Sequence, residues 1–169
     1  MSTDGRVARG ARTRAAIVAA HTALLREGEL KPTAKVIAER AGVSVRTLWA
    51  NFKDLEALLN ETTAYWMDAD EGLRQAVDPA APLAERIDAY CTERGRRLEN
   101  IAPAARSAAL GEPFSPALQR SRQAHIGRLR SEVETVFAAE LRIAEADDLK
   151  HALMTATSWP AWQALRDDY

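Results

Sequence analysis

The stretch KPTAKVIAERAGVSVRTLWANF, residues 31–52, restricts what this chain can fold into more than any other. It holds two short apolar-patterned runs, each opened by a residue suited to cap a helix, Thr33 and Ser44. Val36, Ile37 and Ala41 shape the first run, and Leu48 turns the second inward. Helices of roughly eight residues do not hold alone in water, because the first turn costs more entropy than its few hydrogen bonds return. They must therefore pack on a third element. Ala38 is small enough for two helices to cross closely, and Gly42 is comfortable at the positive φ of a tight turn. This order of small residue, glycine and apolar residue predicts a helix-turn-helix arrangement. The third element is the helix predicted from Thr13, whose Ile17, Ala20 and Leu24, with His21 and Leu25, share one face at 3.6 periodicity until Gly28 ends it.

The second short helix points Val45, Arg46, Trp49 and Ala50 outward. An exposed arginine near a helix start suits base or phosphate contact in a DNA major groove. Trp49 can lie along the sugar-phosphate backbone and donate its indole N–H to a phosphate. Thr47, Asn51 and Lys53 add donors around the same rim, beside Ser44, and Thr33 offers a hydroxyl; Val45 suits a thymine methyl. Charge points the same way. Residues 1–60 hold ten Lys/Arg against six Asp/Glu, whereas 61–169 hold thirteen against eighteen. A basic first third on an acidic remainder fits an end that meets a polyanion. Residues 1–11 read as a mobile arm whose Arg6 and Arg9, with Arg12 just beyond, are within reach of an adjacent groove or phosphate.

Beyond residue 52 the pattern stays helical. Asp54 caps a helix through Leu55, Leu58 and Leu59 towards Trp66, which Asp78-Pro79 and Pro82 interrupt. A run over roughly Leu83–Ile101 places Ile87, Tyr90, Cys91, Arg94 and Leu98 inside, and Pro103 opens a short segment. Gly111 to Pro116 is a turn. The firmest periodicity follows in Ile126, Leu129, Val133, Val136/Phe137 and Leu141, before a last helix carrying Leu149, Leu153, Ala156 and Trp159, interrupted by Pro160. Little β-branched alternation occurs, and the fold class is all-α.

The string TRAAIVAAHTALLREGELKPTAKVIAERAGVSVRTLWANFKDLEALL resembles the DNA-binding region of TetR-family transcriptional regulators, with IAERAGVS, TL, NF and L-ALL between Ile37 and Leu59 as its specific core. The resemblance implies a helix-turn-helix DNA-binding region over residues 1–59, then a helical effector-binding and dimerisation region over 60–169. It implies a cytoplasmic homodimer, a repressor on a palindromic operator that a small-molecule effector releases. Two departures stand out. Trp49 takes a place where the family commonly has Tyr, which keeps an aromatic plane and a donor. Leu55 takes a place where the family commonly has a phosphate-contacting Lys, and Lys53 replaces it only from a different position. The family plan also ends with a further helix that this chain is expected to lack, leaving dimerisation to Leu149–Leu165 with the preceding helix as a further candidate surface.

For the effector, the resemblance points to the helices between about 60 and 160. Trp66, Met67, Tyr90, Arg94, Phe114, His125, Leu129 and Trp159 are the candidates, because aromatic walls with a few polar groups make a small-molecule site. That mix suits a moderately large, mostly apolar or aromatic ligand. His21 reads as a satisfied core histidine and Cys91 as a small buried hydrophobe. His125 and His151 lack partners at metal-ligand spacing, so no metal and no cofactor are expected. No nucleophile–base pair or phosphate loop appears, against an enzyme. No run has the length of a membrane span. A helical adaptor of the same fold that has lost DNA binding is the remaining alternative.

Overall fold

The computed structural model describes residues 3–142 and 146–168. Among them the chain is all-α: α1 Thr3–Arg26, α2 Ala34–Arg40, α3 Val45–Asn51, α4 Leu55–Leu73, α5 Leu83–Gly111, α6 Pro116–Val136, α7 Ala146–Ala156 and α8 Trp159–Asp168. Two 3-10 turns, Glu112–Phe114 and Glu140–Arg142, flank α6. No helix among the described residues is long and apolar enough to cross a membrane. The chain divides into two compact units, residues 1–68 with 103–121, and residues 69–102 with 122–169. The first unit thus takes in 103–121, a segment that sequence alone placed with the second region.

In the first unit, Ile17, Val18, Ala20 and Leu24 of α1 bury against Ile37 and Ala38 of α2, Leu48 of α3, Phe52 and Leu58. Gly28 (φ 91°) and Gly42 (φ 67°) occupy the left-handed region where their turns need it. Ala38 is buried, and its carbonyl accepts the Val43 amide at 2.9 Å, closing the turn after α2. Asp54 caps α4 by accepting the Ala57 amide at 2.8 Å. The Arg14 guanidinium stacks 4.4 Å from the centre of the Phe52 ring and bonds both the Asn51 carbonyl and Glu61. It thereby meets an orphan carbonyl at the end of α3 from α1.

The structure changes the reading of the N-terminus. Residues expected to form a mobile arm are the first turns of α1, which starts at Thr3. Alanine and arginine between the glycines favour helix, and the Thr13 hydroxyl adds a bond to the Arg9 carbonyl at 3.0 Å. The Arg6 side chain lies outside the described residues.

His21 is buried in this unit, with Nδ1 3.0 Å from Thr62 Oγ1. The Thr62 hydroxyl donates to the Leu58 carbonyl at 3.0 Å, so His21 Nδ1 must carry the proton and donate to Thr62.

In the second unit, Tyr90, Leu129, Val133, Val136 and Phe137 form the apolar core, with Val77, Leu141, Leu153 and Met154 packed on it. Tyr90 and Phe137 meet edge to face at 5.3 Å. The buried face of α5 differs from the apolar reading: Ile87 and Cys91 are exposed, while Arg86, Glu93, Arg94 and Arg97 are buried with Tyr90 and Leu98. Apart from Arg94, these charged side chains can be inside because acid and guanidinium answer one another. Arg97 donates to Asp70 at 2.8 and 2.6 Å and to Glu132 at 2.8 Å, with Glu93 at 3.5 Å. Arg86 donates to the Val136 carbonyl at 2.7 Å and to both oxygens of Glu140, which closes the end of α6.

Pro103 does not stop α5, which continues to Gly111. A proline inside a helix costs about 3 kcal/mol, so flanking burial of Leu98 and Ala102 must offset it. The break at Pro160 is real, because α7 ends at Ala156 and Pro160 sits in the first turn of α8, where its missing N–H costs nothing. Gly95 lets the Trp162 ring approach: a Cβ there would lie 3.1 Å from its edge.

Two outcomes follow. Leu48→Ala opens a cavity at the centre of the first unit and should cost about 2–5 kcal/mol in urea unfolding. Burial holds the His21 imidazole down at about 4 instead of 6.5. The folded state then binds fewer protons than the unfolded one between those values, so this stability is full above about pH 6.5 and falls as pH drops towards 4. The loss from His21 should reach roughly 3 kcal/mol at most, and unfolding curves of His21→Gln should fall less steeply with acid.

Candidate nucleic-acid interface

The candidate surface is built on α3, and its geometry begins with its caps. The Thr33 hydroxyl accepts the Val36 amide at 3.3 Å at the start of α2. Ser44 Oγ accepts the Thr47 amide at 3.0 Å and lies 2.8 Å from Thr47 Oγ1. At the other end the Asn51 side-chain amide donates to the Thr47 carbonyl at 2.8 Å. Thr33, Ser44, Thr47 and Asn51 therefore shape the two short helices, and their polar atoms already have intrachain partners. The sequence gives the first two their capping role and carries no signal for the side-chain bonds of Thr47 and Asn51.

With Leu48 buried and these ends tied, α3 has one way to face. Val45, Arg46, Trp49 and Ala50 are exposed, and spacings of three and four make them neighbours on one helix face. Trp49 keeps 39% of its surface open, unusual for so large an apolar ring on a seven-residue helix. Arg46 is exposed and makes no hydrogen bond or ion pair among the described residues. By contrast Arg40 is tied to Glu27, at 3.0 Å through Nη1, and Arg14 to Glu61. Lys53 is open to solvent with Asp54 as a loose neighbour at 3.7 Å. Leu55 is exposed at the start of α4. On α1, Arg9 and Arg12 are exposed, with no partner for their guanidinium groups among the described residues.

The eight effector candidates are divided between the two units. Trp66, Met67 and Phe114 belong to the first unit, and Tyr90, Arg94, His125, Leu129 and Trp159 to the second. Trp66 is buried with its indole Nε1 unpartnered, and the Arg26 guanidinium stacks 4.6 Å from its ring. Phe114 is 87% exposed on the 3-10 turn. Leu129 is core. Arg94 is buried without a carboxylate partner: it donates to the Thr157 carbonyl at 3.0 Å and lies 3.1 Å from His125 Nε2. Burial, then the Arg94 charge, push the His125 imidazole down to about 4.

A cavity of about 280 Å³ opens within the second unit, and of the eight candidates only Tyr90 lines it. Its other walls include Val77, Val136, Glu93, Glu132 and Arg97. The charged lining had no sequence signal, because Glu93 and Glu132 look like the solvated face of an amphipathic helix.

No protein-family model, curated protein or solved structure matches the chain.

Ser44→Ala removes the side-chain acceptor at the start of α3. It should cost about 1 kcal/mol in global unfolding, with the fastest rise in amide exchange at Thr47.

Proposed function

We propose that the chain is a TetR-like transcriptional regulator that reads duplex DNA with the exposed face of α3, in the manner of a helix-turn-helix. The observation that carries this reading is Arg46: an exposed, unpartnered guanidinium beside the open Trp49 ring, on a helix held by packing and caps. Side chains of this kind on one helix face suit a groove edge and a sugar-phosphate wall. Lys53 supplies a phosphate contact from the end of the same segment, and Arg9 and Arg12 add sequence-independent attraction. The resemblance of residues 12–59 to the family region supports the same assignment.

The regulator acts as a dimer on a palindrome, with recognition helices spaced by one DNA turn of about 34 Å. No residue of α7 or α8 is buried, and Leu165 is more than half exposed, which makes these two helices the best surface for a second copy. A small effector taken up by the helical region favours a state with weaker DNA affinity, by as much as its affinity differs between the two states. Repression by occupying the operator is the expected outcome in a cytoplasmic setting.

Selection from random duplex DNA tests this directly. A palindromic consensus is expected, with affinity falling steeply as salt rises. At the selected site Arg46→Ala should cost about 1–3 kcal/mol and relax one base position, while Lys53→Ala should weaken all sequences alike. A folded dimer that yields no consensus would replace this reading with that of a helical adaptor.

A further inference from the structure

The cavity of the second unit has an electrostatic character that its shape alone does not explain. Its walls carry three carboxylates, Glu71, Glu93 and Glu132, against two guanidinium groups, Arg74 and Arg97, and of these Glu93, Glu132 and Arg97 are buried. Asp70, Glu93 and Glu132 crowd on Arg97. Asp70 holds Arg97 through two short bonds at 2.8 and 2.6 Å. Glu93, 6% exposed, has its oxygens on the Gln75 amide at 3.1 Å and, at longer range, on Arg97 at 3.5 Å and the half-exposed Arg96 at 3.9 Å. Glu132, 5% exposed, uses Oε1 for Arg97 at 2.8 Å, and its Oε2 is buried with no hydrogen-bond partner. A buried carboxylate oxygen without a donor is unfavourable, and a donor brought by a ligand removes the deficit.

We propose that this cavity binds a small organic monocation, a primary ammonium or amidinium on a compact apolar body, with Glu132 and Glu93 as its anionic partners. Val77, Val136 and the Tyr90 ring supply the apolar and aromatic wall, and an aromatic face near a cation adds attraction. The volume of about 280 Å³ suits a ligand with one ring or a short chain, smaller than the ligand suited to the mix of aromatic candidates in the sequence. Arg74 at the mouth is the built-in competitor: its Nε is 3.9 Å from Glu132 Oε1, and its Nη1 is 3.5 Å from Glu71. Because it is 43% exposed, it can give way to an incoming cation without disturbing the core.

The inference names the effector class for the regulator proposed above, but the test needs no DNA. A chain that binds cations and selects no operator keeps this inference and loses that reading. Calorimetry on the full chain at neutral pH compares benzylammonium, benzyl alcohol and benzoate, three probes of one size and three charges. Benzylammonium should bind saturably, at least tenfold tighter than benzyl alcohol, and more weakly as salt rises. Glu132→Gln should weaken it at least tenfold while the helical circular dichroism is kept. Arg74→Ala, at an exposed site that does not threaten folding, should tighten it several-fold. Preference for benzoate, equal binding of all three, millimolar silence from all three, or weaker cation binding in Arg74→Ala would each overturn the proposal.

Discussion

A helix of seven residues cannot hold its own shape in water, and the direction in which α3 faces is therefore decided by what it is packed on. Leu48 sets its inner line against Ile17 and Ile37. Ser44 and Asn51 tie its two ends, and Arg14 reaches the last carbonyl from α1 while lying on the Phe52 ring. Every restraint acts on the inner side or the ends of the helix. The outer face is left with side chains that do little for the fold: Arg46 stays hydrated, and Trp49 keeps apolar ring surface open to water that packing does not cover. An exposed tryptophan beside an uncommitted arginine makes physical sense as a contact surface; as a stability device it does not.

The second unit solves a different problem. Its α5 buries four charged side chains on the face that a simple pattern reserves for apolar residues. A buried guanidinium is tolerable only when its donors are met in good geometry, and Arg97 meets that condition with three acids. Its bonds to α4 through Asp70 and to α6 through Glu132 make it the junction of three helices within that unit. Removing one partner would strand charge inside the protein, so the arrangement specifies packing more than it adds stability. It also leaves the excess of acid that distinguishes the cavity from an ordinary apolar pocket.

How far the sequence could be read follows from these two situations. In residues 12–59, local signals agree with tertiary ones. Thr33, Ser44 and Asp54 are caps, Gly28 and Gly42 sit at positive φ, and Ala38 and Leu48 are core, all of them legible from residue type and spacing. The outward face of α3 followed by subtraction. Along α5 the same reasoning places Tyr90, Arg94 and Leu98 correctly but puts Ile87 and Cys91 inside in place of Arg86, Glu93 and Arg97, since hydrophobicity cannot see a buried ion network whose partners are 27 and 35 residues away. Pro103 misleads for a related reason: a penalty of about 3 kcal/mol is decisive for an isolated helix and modest beside extensive packing. The start of α1 is hidden because two glycines obscure the helix-forming residues between them. The glutamates in the cavity wall carry no signal in the sequence, because a helix that buries acids against an arginine on another helix has the same pattern as one that exposes them.

The acid excess also bounds what a ligand can do there. A monocation that pairs with Glu132 competes with Arg97 for the same carboxylate, and Arg97 in turn is shared with Asp70 on α4. Neutralising Glu132 by a ligand leaves Arg97 leaning more on Asp70 and Glu93, so the occupied and empty cavities favour different balances of the same bonds. A balance between discrete ion-pair arrangements is the kind of element whose equilibrium a ligand can bias, and the bias can be no larger than the difference in its affinity for the two arrangements. A neutral ligand of the same shape would fill the space and leave that balance where it was. Charge, more than size, is therefore the property by which this cavity can distinguish an effector from a passive occupant.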